Sequence, residues 1–389
     1  MALAMVLEGE RIGAAQALSI GLLDRLSDAS VLECAIDFAR DVVGKPIVRG
    51  CDRSVPEFDR QFFHERAQAI LRKSAGQEAP VMALQALQGA WQLPFAEGMA
   101  NERERFIARR HSEQARALRH VFFAERDLAS RCRALATQAP TRPIDVVAVI
   151  GAGTMGSGIA LCLANAGIAT RLIDTQPEAL ERGRTTIDRY FSSALEKGRL
   201  DADEATRRAT LIEFDSSIEG VASADLIIEA VFEDLAVKQA VFRQLDRFAK
   251  SGAILATNTS YLDIEAIAAV TTRPGDVIGM HFFSPAHVMK LLEVVRTPRG
   301  HADVLATVLQ LGGRVGKTAV AVGNCYGFVG NRLLAVRERE AGFLLEEGRR
   351  PRMWTGSSAS SASPWAPSNC VTWRAWISLG ETGRAGLIY

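Results

Sequence analysis

The chain has 389 residues, room for two or three ordinary domains and a sizeable core. Its 46 Lys and Arg against 45 Asp and Glu leave a net charge of +1, which argues against nucleic-acid binding driven by bulk positive charge. Six scattered cysteines without a CxxC pair argue against a zinc ribbon or disulfide scaffold and for a reducing compartment, and no apolar run reaches the ~20 residues of a membrane span. Met1–Leu7 is too short for a signal-peptide core and has no basic residues before it. The expectation is a soluble cytoplasmic enzyme with no metal site and no nucleic-acid or membrane partner.

Residues 1–30 are short and apolar and end in Gly21-Leu-Leu-Asp24. Residues 31–135 read as helical, and within Glu102–Arg131 apolar residues recur at helical spacing (Phe106, Ile107, Ala115, Leu118, Val121, Phe122). Thr137–Pro143, with Pro140 and Pro143, reads as a linker. Residues 144–323 alternate β-branched runs with helical stretches, the pattern of βαβ units around a doubly wound parallel sheet. Strands are predicted at Val146–Ile150, Thr170–Ile173, Leu226–Glu229, Ala253–Ala256 and Val277–His281. Residues 324–348 begin another helix through Asn331. The last 41 residues, 349–389, hold four of the five Trp, seven Ser, five Arg and no Lys, with no amphipathic period. They are expected to be disordered. No internal repeat is present.

Gly151-Ala-Gly153-Thr-Met155-Gly156 directly follows the first strand and opens a helical stretch, Ser157–Ala166. Gly151 permits the tight turn, Gly153 lets the backbone approach a pyrophosphate, and Gly156 lets helix and strand pack closely. Alone the motif is weak, but an acidic residue stands at the right distance. Asp174 ends the next strand, where a carboxylate binds the ribose 2′-hydroxyl and repels a 2′-phosphate, favouring NAD over NADP. The plainer role for Asp174 is a helix cap before Pro177.

In Gly279-Met-His281-Phe-Phe-Ser284-Pro285 a histidine ends a β-rich run, and twelve residues on Glu293 lies inside the apolar Leu291–Val295. A buried carboxylate needs a partner, and an imidazole is a sensible one. A carboxylate on one ring nitrogen fixes the tautomer and raises the basicity of the other, as a dehydrogenase base requires. By themselves the two residues read more simply as a structural His and an edge Glu; the nucleotide loop upstream favours the catalytic reading. His287 and His301 lack such a setting and read as surface residues. Asn258-Thr-Ser260 follows a strand at the end where α/β sheets hold ligands, and serves equally as a helix cap.

Six phrases in order resemble the NAD-dependent L-3-hydroxyacyl-CoA dehydrogenases of fatty-acid β-oxidation: Val149–Gly156, Ile228–Glu233, Thr257–Ser260, His281–Pro285, Met289–Glu293 and Gly327–Arg332. The resemblance implies a Rossmann-like fold and oxidation of L-3-hydroxyacyl-CoA to 3-ketoacyl-CoA. It implies His281 as base, Glu293 as its orienting partner, and Ser260 and Asn331 at the substrate's 3-oxygen. Gly151, Gly153, Met155, Gly156, Asp174, Glu233, Lys238, Ser260 and Ser284 would line the NAD site. Without the family, Glu233 and Lys238 read as an i, i+5 pair on a solvated helix start.

Gly9–Ile12, Ala17–Asp24, Ala79–Arg126 and Gly323–Phe328 are similar to the multifunctional β-oxidation enzymes. The resemblance makes residues 1–135 the helical end of a crotonase domain with its connecting helices, 144–323 the NAD-binding domain, and 324–348 the start of a helical domain. It implies an acyl-CoA substrate, oligomers for the full-length enzymes with the state of this chain left open, and no hydratase activity, because the crotonase catalytic carboxylates have no counterpart here. The 349–389 tail departs from the family, as a shift of reading frame would make it. Two other readings stand beside the dehydrogenase: a catalytically impaired NAD-binding fragment, and another β-hydroxyacid dehydrogenase, which the lack of a suitable catalytic Lys disfavours.

Overall fold

A computed structural model describes residues 1–348 apart from 28–29, 47–48, 54 and 75. The tail at 349–389, with the expectations about it, lies outside the described residues. Two compact units form, one centred on Met1–His120 and the other on Val121–Leu344. Among the described residues no helix is long and apolar enough to cross a membrane.

The first unit is helical: α1 (Ala14–Ser19), α2 (Val31–Val42), α3 (Arg60–Lys73), α4 (Glu78–Gln92) and α5 (Phe95–Arg110). Its core is small, built on Leu3, Ala67, Ile70 and Leu84. Phe58, Phe63 and Trp91 add an aromatic cluster with ring centroids 4.9–5.7 Å apart, both phenylalanine rings standing edge-to-face with Trp91. The helical spacing read over Glu102–Arg131 falls on two helices, α5 and α6 (Glu113–Ala136). The break falls at His111–Ser112, where the Ser112 hydroxyl accepts from the Ala115 amide and starts a new helix. Five of the six apolar positions that carry this spacing, Phe106, Ile107, Leu118, Val121 and Phe122, are exposed, and Ala115 is half-buried.

The second unit is an eight-stranded sheet: β1 (Val146–Ile150), β2 (Ala169–Ile173), β3 (Ile212–Asp215), β4 (Leu226–Glu229), β5 (Ile254–Thr257), β6 (Val277–Phe282), β7 (Leu291–Arg296) and β8 (Thr318–Gly323). The order is β3-β2-β1-β4-β5-β6-β7-β8, with β7 antiparallel to β6 and every other pairing parallel. The helices are α7 (Thr154–Asn165), α8 (Pro177–Glu196), α9 (Ala202–Ala209), α10 (Leu235–Phe248), α11 (Ile264–Ala268), α12 (Ala302–Arg314) and α13 (Gly330–Glu346).

Alternation along the strands builds two cores. Val147 and Val149 of β1 pack with Ile159, Leu163 and Val308 from α7 and α12. Ala148 and Ile150 pack on the opposite face with Phe242, Leu245 and Ile267 from α10 and α11. The chain steps outward from β1 in one direction to β2 and in the other to β4. The carboxyl ends of β1 and β4 therefore border the crevice where such sheets hold ligands.

β3 and β8 were not predicted. Both are sheet edges: β3, Ile212-Glu-Phe-Asp215, alternates apolar with acidic residues, and β8 has only the short small-residue run Ala319–Val322 between Thr318 and Gly323.

Candidate active site

The glycine loop lies at the carboxyl end of β1, and its three glycines answer to different constraints. Gly151 takes φ +102°, and a Cβ there would come 2.8 Å from the Ala230 carbonyl oxygen. A Cβ on Gly156 would collide with the Gly151 carbonyl. A Cβ on Gly153 would meet no protein atom within 4 Å. The space over Gly153 is open and lies at the N-terminus of α7, which no side chain caps. That is the cradle a pyrophosphate requires, so the residues present fit a dinucleotide.

Asp174 ties the glycine loop to the turn before α8. One carboxylate oxygen accepts from the Ala152 amide at 2.9 Å, bracing the loop, and the other accepts from Gln176 at 3.0 Å, just before α8. It remains half-exposed at the end of β2. Met155 is half-buried and Ser284 exposed.

His281 and Glu293 are brought together by the sheet. They are direct partners in the antiparallel register of β6 and β7, so both side chains stand on one face. His281 Nδ1 lies 2.8 Å from Glu293 Oε2, and both residues are buried. The other oxygen, Oε1, accepts from the amides of Val329 (3.0 Å) and Gly330 (2.8 Å) at the start of α13. Burial pushes the Glu293 carboxyl up, but the hydrogen bonds from His281 and from the Gly330 and Val329 amides outweigh it and hold the group below the usual carboxylate range. Phe283 and Phe328 flank the imidazole at 4.4 and 5.6 Å between ring centroids. Phe328 is fully buried at φ +46°, a strained backbone for a residue with a side chain.

Ser260 sits in the turn after β5. Asn258, beside it, accepts from the Phe282 amide at 2.8 Å through its side-chain oxygen and ties this turn to the end of β6. The Asn331 side-chain amide reaches the Ser260 carbonyl at 3.4 Å. Glu233 Oε1 accepts from the Thr259 hydroxyl (2.6 Å) and from the amides of Ser260 (2.7 Å) and Tyr261 (3.1 Å). Burial opposes its ionisation, but the Thr259 hydroxyl, the Lys238 charge and these amides hold its carboxyl below the ordinary range.

Two sequence readings need correction. Lys238 is not on a solvated helix start: it is 1% exposed, with Nζ 2.7 Å from Glu229 and 3.4 Å from Glu233. Its ammonium thus faces carboxylates rather than the open cleft. His301 is exposed as expected, yet it does have a carboxylate partner, Asp276, at 3.2 Å. Glu229 was missed. It is fully buried at the end of β4, and the signal for it was a carboxylate closing the apolar run Leu226-Ile-Ile. The α13 amides were invisible in the sequence because main-chain donors leave no residue signature.

Residues 146–325 match the family described as 3-hydroxyacyl-CoA dehydrogenase, NAD binding domain. The chain is 40% identical over 358 residues to the peroxisomal bifunctional enzyme of Cavia porcellus, covering 90% of this chain and 49% of that one. The chain thus spans about half the length of the curated relatives it matches. Among solved structures, 3-hydroxybutyryl-CoA dehydrogenase from Escherichia coli is similar at 40% identity and a TM-score of 0.52, covering 53% of this chain and 44% of that one. FadB2 of M. tuberculosis is similar at 30% identity and a TM-score of 0.51, covering 63% of this chain and 96% of that one.

Proposed function

From its membership of the 3-hydroxyacyl-CoA dehydrogenase family, with the NAD-binding domain at 146–325, we propose that this chain oxidises L-3-hydroxyacyl-CoA to 3-ketoacyl-CoA in fatty-acid β-oxidation. The observation that carries the reading is the buried His281–Glu293 pair on the same sheet whose glycine loop leaves an open phosphate cradle. With Nδ1 held by Glu293, the His281 imidazole keeps Nε2 to accept the proton of the substrate hydroxyl. Bound NAD⁺ supplies the acceptor for the hydride leaving C3. Ser260 and Asn331, linked to each other, polarise the 3-oxygen. Gly151, Gly153, Met155, Gly156, Asp174 and Ser284 line the cofactor, Glu233 holds the Ser260 turn beside it, and Lys238 acts through Glu233. The cytoplasmic placement is part of this proposal, and cell fractionation that finds the chain inside an organelle overturns it.

The test is acetoacetyl-CoA-dependent NADH oxidation by the whole chain. Wild type turns over, and His281→Ala loses about 10²–10⁴-fold in kcat with NADH binding intact by fluorescence titration. NADH binding by wild type without turnover leaves a binding fragment and removes the enzymatic reading. Full turnover by His281→Ala removes His281 from the chemistry.

A further inference from the structure

We propose that Glu229 is a positioning residue for Ser260, acting through Lys238 and Glu233; this rests on the reading of Ser260 as the group at the substrate oxygen. Two carboxyl groups share one buried ammonium here. Glu229 lies at the end of β4 with no exposed surface, and all its contacts are internal. Its Oε1 accepts from Lys238 Nζ at 2.7 Å and from the Val231 amide at 2.8 Å, and its Oε2 accepts from the Thr257 hydroxyl at 2.7 Å. Lys238 Nζ lies 3.4 Å from Glu233 Oε2. Glu233 turns its other oxygen, Oε1, to the turn at Thr259–Tyr261 and takes three hydrogen bonds from it.

The distances divide the labour. An ammonium inside the protein must be paired, and Glu229 holds it at the shorter distance. Glu233 is thereby left to spend Oε1 on the turn. Removing the charge of Glu229 leaves Lys238 with Glu233 as its one carboxylate neighbour among the described residues. Glu233 then closes on the ammonium and its Oε1 leaves the Ser260 and Tyr261 amides. The turn carrying Ser260 loosens without any residue that faces the cleft having been changed.

Amide hydrogen exchange on the whole chain reads this without reference to activity. In Glu229→Gln, the Ser260 and Tyr261 amides lose about tenfold or more of their protection while those of β1 and β6 keep theirs. Unchanged protection at Ser260 and Tyr261 overturns the proposal. Glu229→Gln/Lys238→Met removes the ammonium too, so protection returns to within about threefold of wild type. A double variant as unprotected as the single one shows general packing damage and also overturns it. If Glu229→Gln does not fold, Glu229→Asp, which keeps the charge but shortens its reach to Lys238, is read in the same way: protection falls at Ser260 and Tyr261 and returns when Lys238→Met is added, and unchanged protection overturns the proposal.

The link to Ser260 is read in turnover. Glu229→Gln lowers kcat by about 10–100-fold, and Ser260→Ala/Glu229→Gln costs no more than the larger single change. Fully additive losses overturn the link. Absence of turnover in wild type would instead sink the dehydrogenase reading, with the exchange result still deciding the ladder.

Discussion

Glycine is required at three positions of one loop for three different reasons, and the difference is measurable. Gly156→Ala drives a methyl into the Gly151 carbonyl, so the loop and α7 must separate and thermal stability falls by several degrees. Gly153→Ala meets nothing in the protein. It leaves the melting temperature unchanged while NADH affinity falls by about tenfold or more, because the added methyl occupies cofactor space. Equal losses of stability in both variants would contradict this division. At this scale the sequence was highly legible, since the motif, Asp174, His281 and Glu293 all lie in a shared crevice-bearing unit. Glu229 was not, because a lone carboxylate after three apolar residues looks the same whether it caps a strand or holds a lysine. Lys238 was misread for a related reason, as helical spacing alone gives no hint that the β4 end closes over it.

The β6–β7 pair shows what an element adds to its residues. Glu293 fastens the imidazole with one oxygen and the start of α13 with the other. Its carboxyl is held below its ordinary value of 4.5, so the stability it contributes is complete above about pH 4.5 and is lost as pH falls through the depressed value. Glu293→Gln therefore flattens the acid limb of the stability curve below that pH. It also slows turnover by about 10²-fold, since the tautomer is no longer fixed. Denaturant titrations across pH 2–6 measure the first effect, and an acid limb identical to wild type would refute it. Strands buried on both faces were readable as apolar runs. The edge strands β3 and β8 are harder to read, because β3 interleaves two acidic residues with its two apolar ones and the apolar run of β8 is only four small residues long. The helix break at Ser112 was hidden by an apolar pattern that continues through it.

At the scale of the molecule, one arginine fixes the segment entering the sheet. Arg142 donates to Asp303 and Asp276 at 2.8 Å each and to the Gly252 carbonyl at 3.0 Å, and its own amide donates to Thr307. With its guanidinium mostly buried, Arg142→Met leaves two carboxylates short of a partner and costs about 1–3 kcal/mol. That is a fall of about 3–10 °C in the melting temperature of this unit. Calorimetry checks it, and a shift below 1 °C would show the clamp to be idle. The two prolines mark the stretch before the sheet in the sequence, but the clamp leaves no such mark, because its partners lie more than 100 positions further along the chain.

The direct opposition of His281 and Glu293 also sets how failure looks in a population of molecules. A slip of one residue between β6 and β7 carries Glu293 to the far side of the sheet, and a slip of two moves it about 7 Å along the strand. Neither leaves a weakened pair within hydrogen-bond reach. Under the proposed mechanism, a preparation damaged by such a slip is a mixture of paired and unpaired molecules rather than a uniform stock of weakened pairs. Its residual rate then reflects chiefly the fraction of molecules that keep the register.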